Sequence, residues 1–375
     1  MKNKHPLKMA LIATACIALS CNQKSLSIPV LDFDNVSERN SIDLKLSDIL
    51  DDITIVNLET TQDNLFSTWG GTPALITHTS IVIPTRDAVH QFNRDGKYHR
   101  QLIIRGKGPR EFLYLSLCFV DEDADVLYYV DGRNRKEIYR IDLASGAFLD
   151  PIPMMDLKLL EVKLFKNNFL YGLPGLSPSG FDIGSNPDTS IIAFQYDIHA
   201  GSLKKYNGNK RYSTLPYGSS MVAYKNHLTI INRNYSDTLY QLLNNVLHTQ
   251  FLVKLKNQMT NYREGGCEVK LLLEYDGGII FTKDRFTYEE TKDKQMIYPS
   301  EEHPFLLNNA GTLQRIRQVF IDPLQVAIQT ESIESDASGY IDTPLYPFPK
   351  ISGSYGYIFI EQEDSNPKII IGKIK

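Results

Sequence analysis

The sequence predicts an all-β chain: a six-bladed β-propeller with four-stranded antiparallel blades, its ring closed by an N-terminal strand. Three observations carry this expectation. First, apolar runs rich in β-branched and aromatic residues recur at 80–83, 126–130, 169–173, 227–231, 278–281 and 357–360. They are spaced roughly 45 to 60 residues apart, with a longer gap before the last, and that is the period of propeller blades. Second, most are followed by another such run, at 89–92, 137–141, 191–196, 238–242 and 368–371. Many of these end in a turn that tolerates positive φ (Asp95 with Gly96, Ser145 with Gly146, Ala200 with Gly201, Asn244 with Asn245). Third, helical signals are scarce, which excludes a parallel α/β fold. A sandwich rarely holds so many equivalent hairpins, and a ring leaves few sheet edges exposed.

Taken in order, residues 1–20 read as a lipoprotein signal peptide. Lys2, Lys4 and Lys8 make a basic start, and 9–19 is an apolar stretch too short to span a bilayer stably. Ala18, Leu19 and Ser20 then precede Cys21, the expected lipidation site. Cys16 is a rival that shortens the apolar stretch, and an ordinary cleaved signal is the alternative. Residues 21–45 read as a tether, polar with scattered proline and serine. A short helical turn is suggested at 46–50. The run 53–59 is a strand with no hairpin partner, so it is expected to join the blade that ends at Ile374. Residues 46–375 then form one propeller domain. A second short helix is suggested within 257–273, although Gly265 and Gly266 argue against it. Two segments, 174–190 and 282–306, read as long inserted loops, either binding elements or plain surface.

The net charge of −4 over 375 residues is too mild to argue for nucleic acid or a charged membrane surface as partner. After processing, Cys118 and Cys267 remain. Their separation fits no metal motif, Cys118 lies in an apolar run that suits a buried thiol, and a single bridge between them stays open.

One stretch has a more specific pattern. Residues 93–98 read Asn-Arg-Asp-Gly-Lys-Tyr, 105–112 read Arg-Gly-Lys-Gly-Pro-Arg-Glu-Phe, and 130–138 read Val-Asp-Gly-Arg-Asn-Arg-Lys-Glu-Ile. This resembles the blade pattern of NHL-repeat propellers: a turn, a glycine–proline linker, and an Asp/Asn turn opening the next blade. Arg110 stands where that family usually has glycine, and Lys136 with Glu137 displaces the usual Arg-Ile step. The match covers 89–141. With the cysteine-bearing signal, the whole chain is similar to the six-bladed propeller lipoproteins of Bacteroidetes-type bacteria. The resemblance implies an outer-membrane lipoprotein, on the periplasmic side or the cell surface. Residues 22–27 contain no acidic side chain of the kind that often marks surface export.

Candidate site residues fall into two groups. Arg94, Arg100, Arg105, Lys107 and Arg110, with Lys97 and His99, form the densest basic cluster. Such a cluster suits an anionic glycan, a phosphate or an acidic protein, or it simply decorates a hairpin and its exit loop. Asp87, Asp131, Asp237 and Asp284 follow strands at similar offsets. They read either as repeated turn caps or as a ring of carboxylates holding Ca²⁺ in the central channel, which needs six to eight converging oxygens. His303 lacks a second histidine at helical spacing, and Ser219 and Ser220 lack a nucleophile elbow. No phosphate-binding or dinucleotide fingerprint is present. The expected function is therefore a monomeric binding or scaffolding module for a protein or glycan, attached to the membrane only through its lipid. The alternative is a divalent-ion-dependent hydrolase, lactonase or lyase with its site in the channel.

Overall fold

The structure, a computed structural model, describes residues 28–375 except 62–63, 67–72, 109, 135, 154–159, 167–168, 175–190, 209–218, 233–236, 259–264, 291–294, 330–347, 361 and 363–364. Three N-terminal strands come first: β1 (Val30–Asp32), β2 (Ile42–Lys45) and β3 (Leu50–Asn57). Blade 1 is β4 (Leu75–Ile76), β5 (Ser80–Pro84), β6 (Ala88–Asn93) and β7 (Tyr98–Ile104). Blade 2 is β8 (Leu115–Asp121), β9 (Val126–Asp131), β10 (Glu137–Asp142) and β11 (Phe148–Pro153). Blade 3 is β12 (Leu160–Lys166), β13 (Phe169–Pro174), β14 (Ile191–Asp197) and β15 (Ser202–Asn207). Blade 4 is β16 (Ser219–Tyr224), β17 (His227–Asn232), β18 (Thr238–Leu243) and β19 (Val246–Lys254). Blade 5 is β20 (Gly266–Tyr275), β21 (Gly278–Glu290), β22 (Gln295–Asn308) and β23 (Leu313–Ile321), with β24 (Val326–Gln329) paired to β23. Blade 6 is β25 (Lys350–Ser352), β26 (Tyr355–Ile360) and β27 (Lys368–Ile374), completed by β3.

The ring closes as the sequence predicts. β3 pairs antiparallel with β27 from Leu50 opposite Ile374 to Asn57 opposite Lys368. The predicted turn at Asp95 and Gly96 packs against this seam. Gly96 has φ +90°, a Cβ there would sit 2.1 Å from the Asn57 carbonyl oxygen, and its own carbonyl accepts from the Glu59 N–H at 2.8 Å. Only glycine fits.

The core lies between blades, in six clusters for six interfaces. Strand alternation explains this distribution. On β9, Leu127 and Tyr129 pack towards blade 1, while Val126, Tyr128 and Val130 pack towards blade 3. A middle strand buries both faces, so it reads as a continuous apolar run. The repeated runs found in the sequence are accordingly the second and third strands of each blade. The innermost strands β4, β8, β12, β16, β20 and β25 each have one paired neighbour and carry a weaker signal.

Three expectations change. Residues 30–45, read as tether, are drawn onto the rim: β1 adds in parallel to β19 of blade 4 and β2 in parallel to β23 of blade 5. Leu31 and Phe33 are buried between blades 4 and 5, and this apolar contact, absent from a true tether, is the reason. The suggested helix within 257–273 is instead largely the innermost strand β20, whereas the suggested turn at 46–50 is a one-turn helix, Leu46–Ile49. The segment 282–306 is a hairpin, since β21 and β22 stay paired from Gly278 opposite Asn308 to Glu290 opposite Gln295, with one register shift between Arg285 and Phe286. The other expected insertion lies outside the described residues beyond Pro174. Cys118 and Cys267 are not bridged to each other, and burial pushes the Cys118 thiol up to about 12.

Candidate functional site

The innermost strands surround an axial channel of about 900 Å³. Its wall takes residues from all six blades, among them Leu75, Val120, Lys166, Met221, Leu272 and Lys350. An innermost strand has a partner on one side only, so its other edge must find hydrogen bonds elsewhere. Neighbouring blades supply some: Ser352 Oγ accepts from the Ile76 N–H at 2.8 Å, and Ser220 Oγ from the Leu271 N–H at 2.7 Å.

At one end, the turns between first and second strands form a polar collar. Asp125 of blade 2 accepts from Thr77 Oγ1 at 2.6 Å and from Thr79 Oγ1 at 2.7 Å on blade 1. Glu122, also of blade 2, reaches past blade 1 to blade 6, where both its oxygens accept from Ser354, one from the N–H and one from Oγ, at 2.5 Å each. His78 Nδ1 lies 2.9 Å from Tyr355 Oη, and the Arg94 guanidinium sits 4.7 Å over the Tyr355 ring. Further round, Lys225 and Tyr224 both engage Asp276. Blades 4 and 5 are fastened by the buried Glu274, which accepts from Thr229 Oγ1 at 2.6 Å and meets His227 Nε2 at 2.9 Å. These groups look catalytic by type but act as fasteners between blades.

The structure splits the basic cluster. Arg94 and Arg105 flank opposite ends of β7, a seven-residue strand roughly 20 Å long. Arg100 donates to the carbonyls of Leu143, Ala144 and Ser145 and so clamps blade 2 to blade 1. Arg105 donates to the Leu113 carbonyl at 3.2 Å and lies 3.5 Å from Asp87. Arg110, at φ +69°, lies 4.9 Å over the Phe148 ring, and Lys107 is exposed. The cluster is thus divided, with Arg94 before β7 and the exposed Arg105, Lys107 and Arg110 after it.

The glycine–proline linker has a clear physical rationale. The Glu111 carboxylate accepts from the Gly108 N–H at 2.6 Å, and a Cβ at Gly106 would sit 1.9 Å from that carboxylate. The folded-back carboxylate lets Phe112 enter the core between blades 1 and 2.

The four aspartates are also kept apart, each held within its own blade. Asp131 is buried and caps its turn, accepting from the N–H groups of Arg133 at 3.1 Å and Leu113 at 3.3 Å and pairing with the Arg133 guanidinium at 2.7 Å. Asp284 sits inside β21 rather than in a turn, because that strand runs on to Glu290. It pairs with Lys270 at 2.7 Å, beside Glu268 at 2.8 Å from the same ammonium. Burial alone would lower the Lys270 pKa, but the two carboxylates hold it above its ordinary value. The Asp237 carbonyl accepts from the Val253 N–H at the rim of blade 4. Among the described residues, no three His, Cys, Asp or Glu side chains converge as a metal site.

Asp131 gives a testable result. Burial would raise its pKa, but the Arg133 side chain and the backbone donors hold it below 3.8. A depressed carboxyl stabilises the fold above the unfolded pKa and loses that contribution as pH falls through the folded value. Asp131→Ala is expected to cost about 1–3 kcal/mol at pH 7 by leaving buried donors unpaired. In urea melts the gap from the parent should narrow below about pH 3.8. A gap that holds constant to pH 2 would contradict this role.

Residues 28–305 match the family described as a domain of unknown function, DUF4934. The chain belongs to that family. No curated protein matches it. Among solved structures, this DUF4934 chain is similar to a protein of Bacteroides fragilis described as exported, at 12% identity and a TM-score of 0.54, covering 89% of this chain and 99% of that one. It is also similar to the N-terminal domain of Nup159, at 11% identity and a TM-score of 0.46, with 90% and 100% covered. An oligogalacturonate lyase of Vibrio parahaemolyticus matches at 11% identity and a TM-score of 0.38, with 86% and 91% covered. At such identities the likeness is one of fold alone.

The channel residues Lys166 and Lys350 carried no signal in the sequence. Each becomes notable only once its strand is known to face the axis.

Proposed function

We propose that this DUF4934 protein is an extracytoplasmic, membrane-anchored binding module whose axial channel takes a glycan or another small ligand. The observation that carries the reading is the channel itself. Its volume of about 900 Å³ suits a small-molecule site, its wall mixes apolar side chains with charged ones of both signs, and every blade contributes. The polar clusters elsewhere are engaged in holding blades together. A divalent-ion-dependent enzyme would need converging carboxylates, and the four candidate aspartates have separate partners on separate blades.

Calorimetric titration of the mature chain with a panel of glycans and small organic acids tests the reading. One-to-one binding that leaves the ligand chemically unchanged is expected. Turnover that depends on Ca²⁺ would replace it with the enzymatic alternative.

The anchor is supported by the basic and apolar stretches before Cys21, residues that lie outside the described ones. Among the described residues no helix is long and apolar enough to cross a membrane. Several acyl chains on one cysteine give lasting attachment. Cys21→Ala is therefore expected to move the protein from the membrane pellet to the soluble fraction after cell lysis. A mutant still found wholly in the pellet would count against lipidation at that position.

A further inference from the structure

The cations of the channel wall differ in how they are neutralised. Lys225 is paired with Asp276, and Lys375 lies 3.3 Å from Asp51. His78 faces Tyr355 and Asp123. Lys166 and Lys350 have no carboxylate partner among the described residues: Lys166 donates only to the Lys225 carbonyl. Of the three carboxylates of the wall, Asp121 and Glu122 are engaged at the collar, and the exposed Asp123 lies 3.9 Å from His78. Asp121 caps its own turn through the N–H groups of Asp123 and Ala124, and Glu122 holds Ser354. For both lysines, burial lowers the pKa with no compensating anion. Lys166 is half-buried, whereas Lys350 is exposed to the water of the channel. A half-buried ammonium group such as that of Lys166 is costly until an anion meets it.

Their placement is as informative as their charge. Lys166 ends β12, beside the collar, and Lys350 begins the three-residue β25, two residues before that strand also reaches the collar. Blades 3 and 6 are three steps apart in a ring of six, so the two lysines come from opposite walls. Around them the wall includes the aliphatic side chains of Leu75, Val120, Met221 and Leu272. We propose that the channel binds an organic dianion that spans it from wall to wall, with one acidic group at Lys166, the other at Lys350, and an apolar body between them. This rests on the binding-module reading and names its ligand class.

The test is titration calorimetry on the mature chain with sebacate, decanoate and the diol that matches sebacate in length. The expected order is sebacate tightest, decanoate weaker and the diol weakest, with sebacate binding one to one and weakening as salt rises. Lys166→Met and Lys350→Met should each weaken sebacate by about ten-fold or more, towards decanoate, while leaving the diol unchanged. Thermal melts serve as the folding control: removing a charge with no carboxylate partner should leave the Tm unchanged or raise it. Equal binding of diol and dianion, or lysine variants that bind sebacate as well as the parent, would overturn the proposal. If a neutral glycan binds and sebacate does not, the dianion is wrong while the binding module stands. If no ligand binds and a substrate is turned over, both fall.

Discussion

A chain beginning at Leu58, and so lacking β3, is expected to lose cooperative unfolding altogether. Blade 6 would keep only three strands, and β27 would present an unpaired edge next to the first blade. Ile369, Ile370 and Ile371, all fully buried in the intact ring, would lose the cover that Leu50 and Val56 help to give them. At about 25 cal/mol per Å² of apolar surface, uncovering several such side chains removes more free energy than a domain of this size has to spare. The measurement is a circular-dichroism melt of full-length and shortened proteins. A shortened chain that melts sharply within a few degrees of the parent would show that the ring holds without its N-terminal strand.

Phe33→Ala is expected to cost about 3–5 kcal/mol, the range for deleting a buried aromatic ring. Phe33 is 2% exposed and meets the rings of Phe281 at 5.6 Å and Phe305 at 5.3 Å edge-on. It therefore ties the N-terminal strap to blade 5 just after β1 has paired with blade 4. Two ion pairs flank it, Lys254 with Asp32 and Lys283 with Asp34, each at 2.7 Å. Ile28→Ala, at an exposed position of the same segment, should stay within about 0.5 kcal/mol. Guanidinium unfolding of the three proteins decides the matter. A Phe33→Ala loss below about 1 kcal/mol would mean that the strap contributes little and that blades 4 and 5 close without it.

Phe33 also shows where sequence reading stops. Leu31 and Phe33 alternate with Asp32 and Asp34, but the alternation is too short to mark Phe33 as a core side chain. Its burial depends on a cleft between blades assembled from residues some 250 positions away. The middle strands are the opposite case. β9 and β14 are buried on both faces, so their apolar runs persist whatever the neighbouring blade supplies. The hairpin of 278–308 lies between these cases: the alternation of β21 continues past Phe281, but charged residues there read as loop.

The site divides in the same way. Asp131 and the Gly106–Glu111 linker act within a few residues of themselves, and the turn role is readable from spacing. Arg100 and Arg105 had the right charge for a ligand, yet backbone carbonyls and Asp87 claim them.

By itself the sequence determined the blade period, the turn glycines and the closing strand, because these follow from local patterning of apolar residues and backbone freedom. The tertiary structure alone decided which strands face the axis, which charges are neutralised and that Lys166 and Lys350 look into one channel. Convergence of residues far apart in the chain is a property of the closed ring, and no short stretch of sequence carries it.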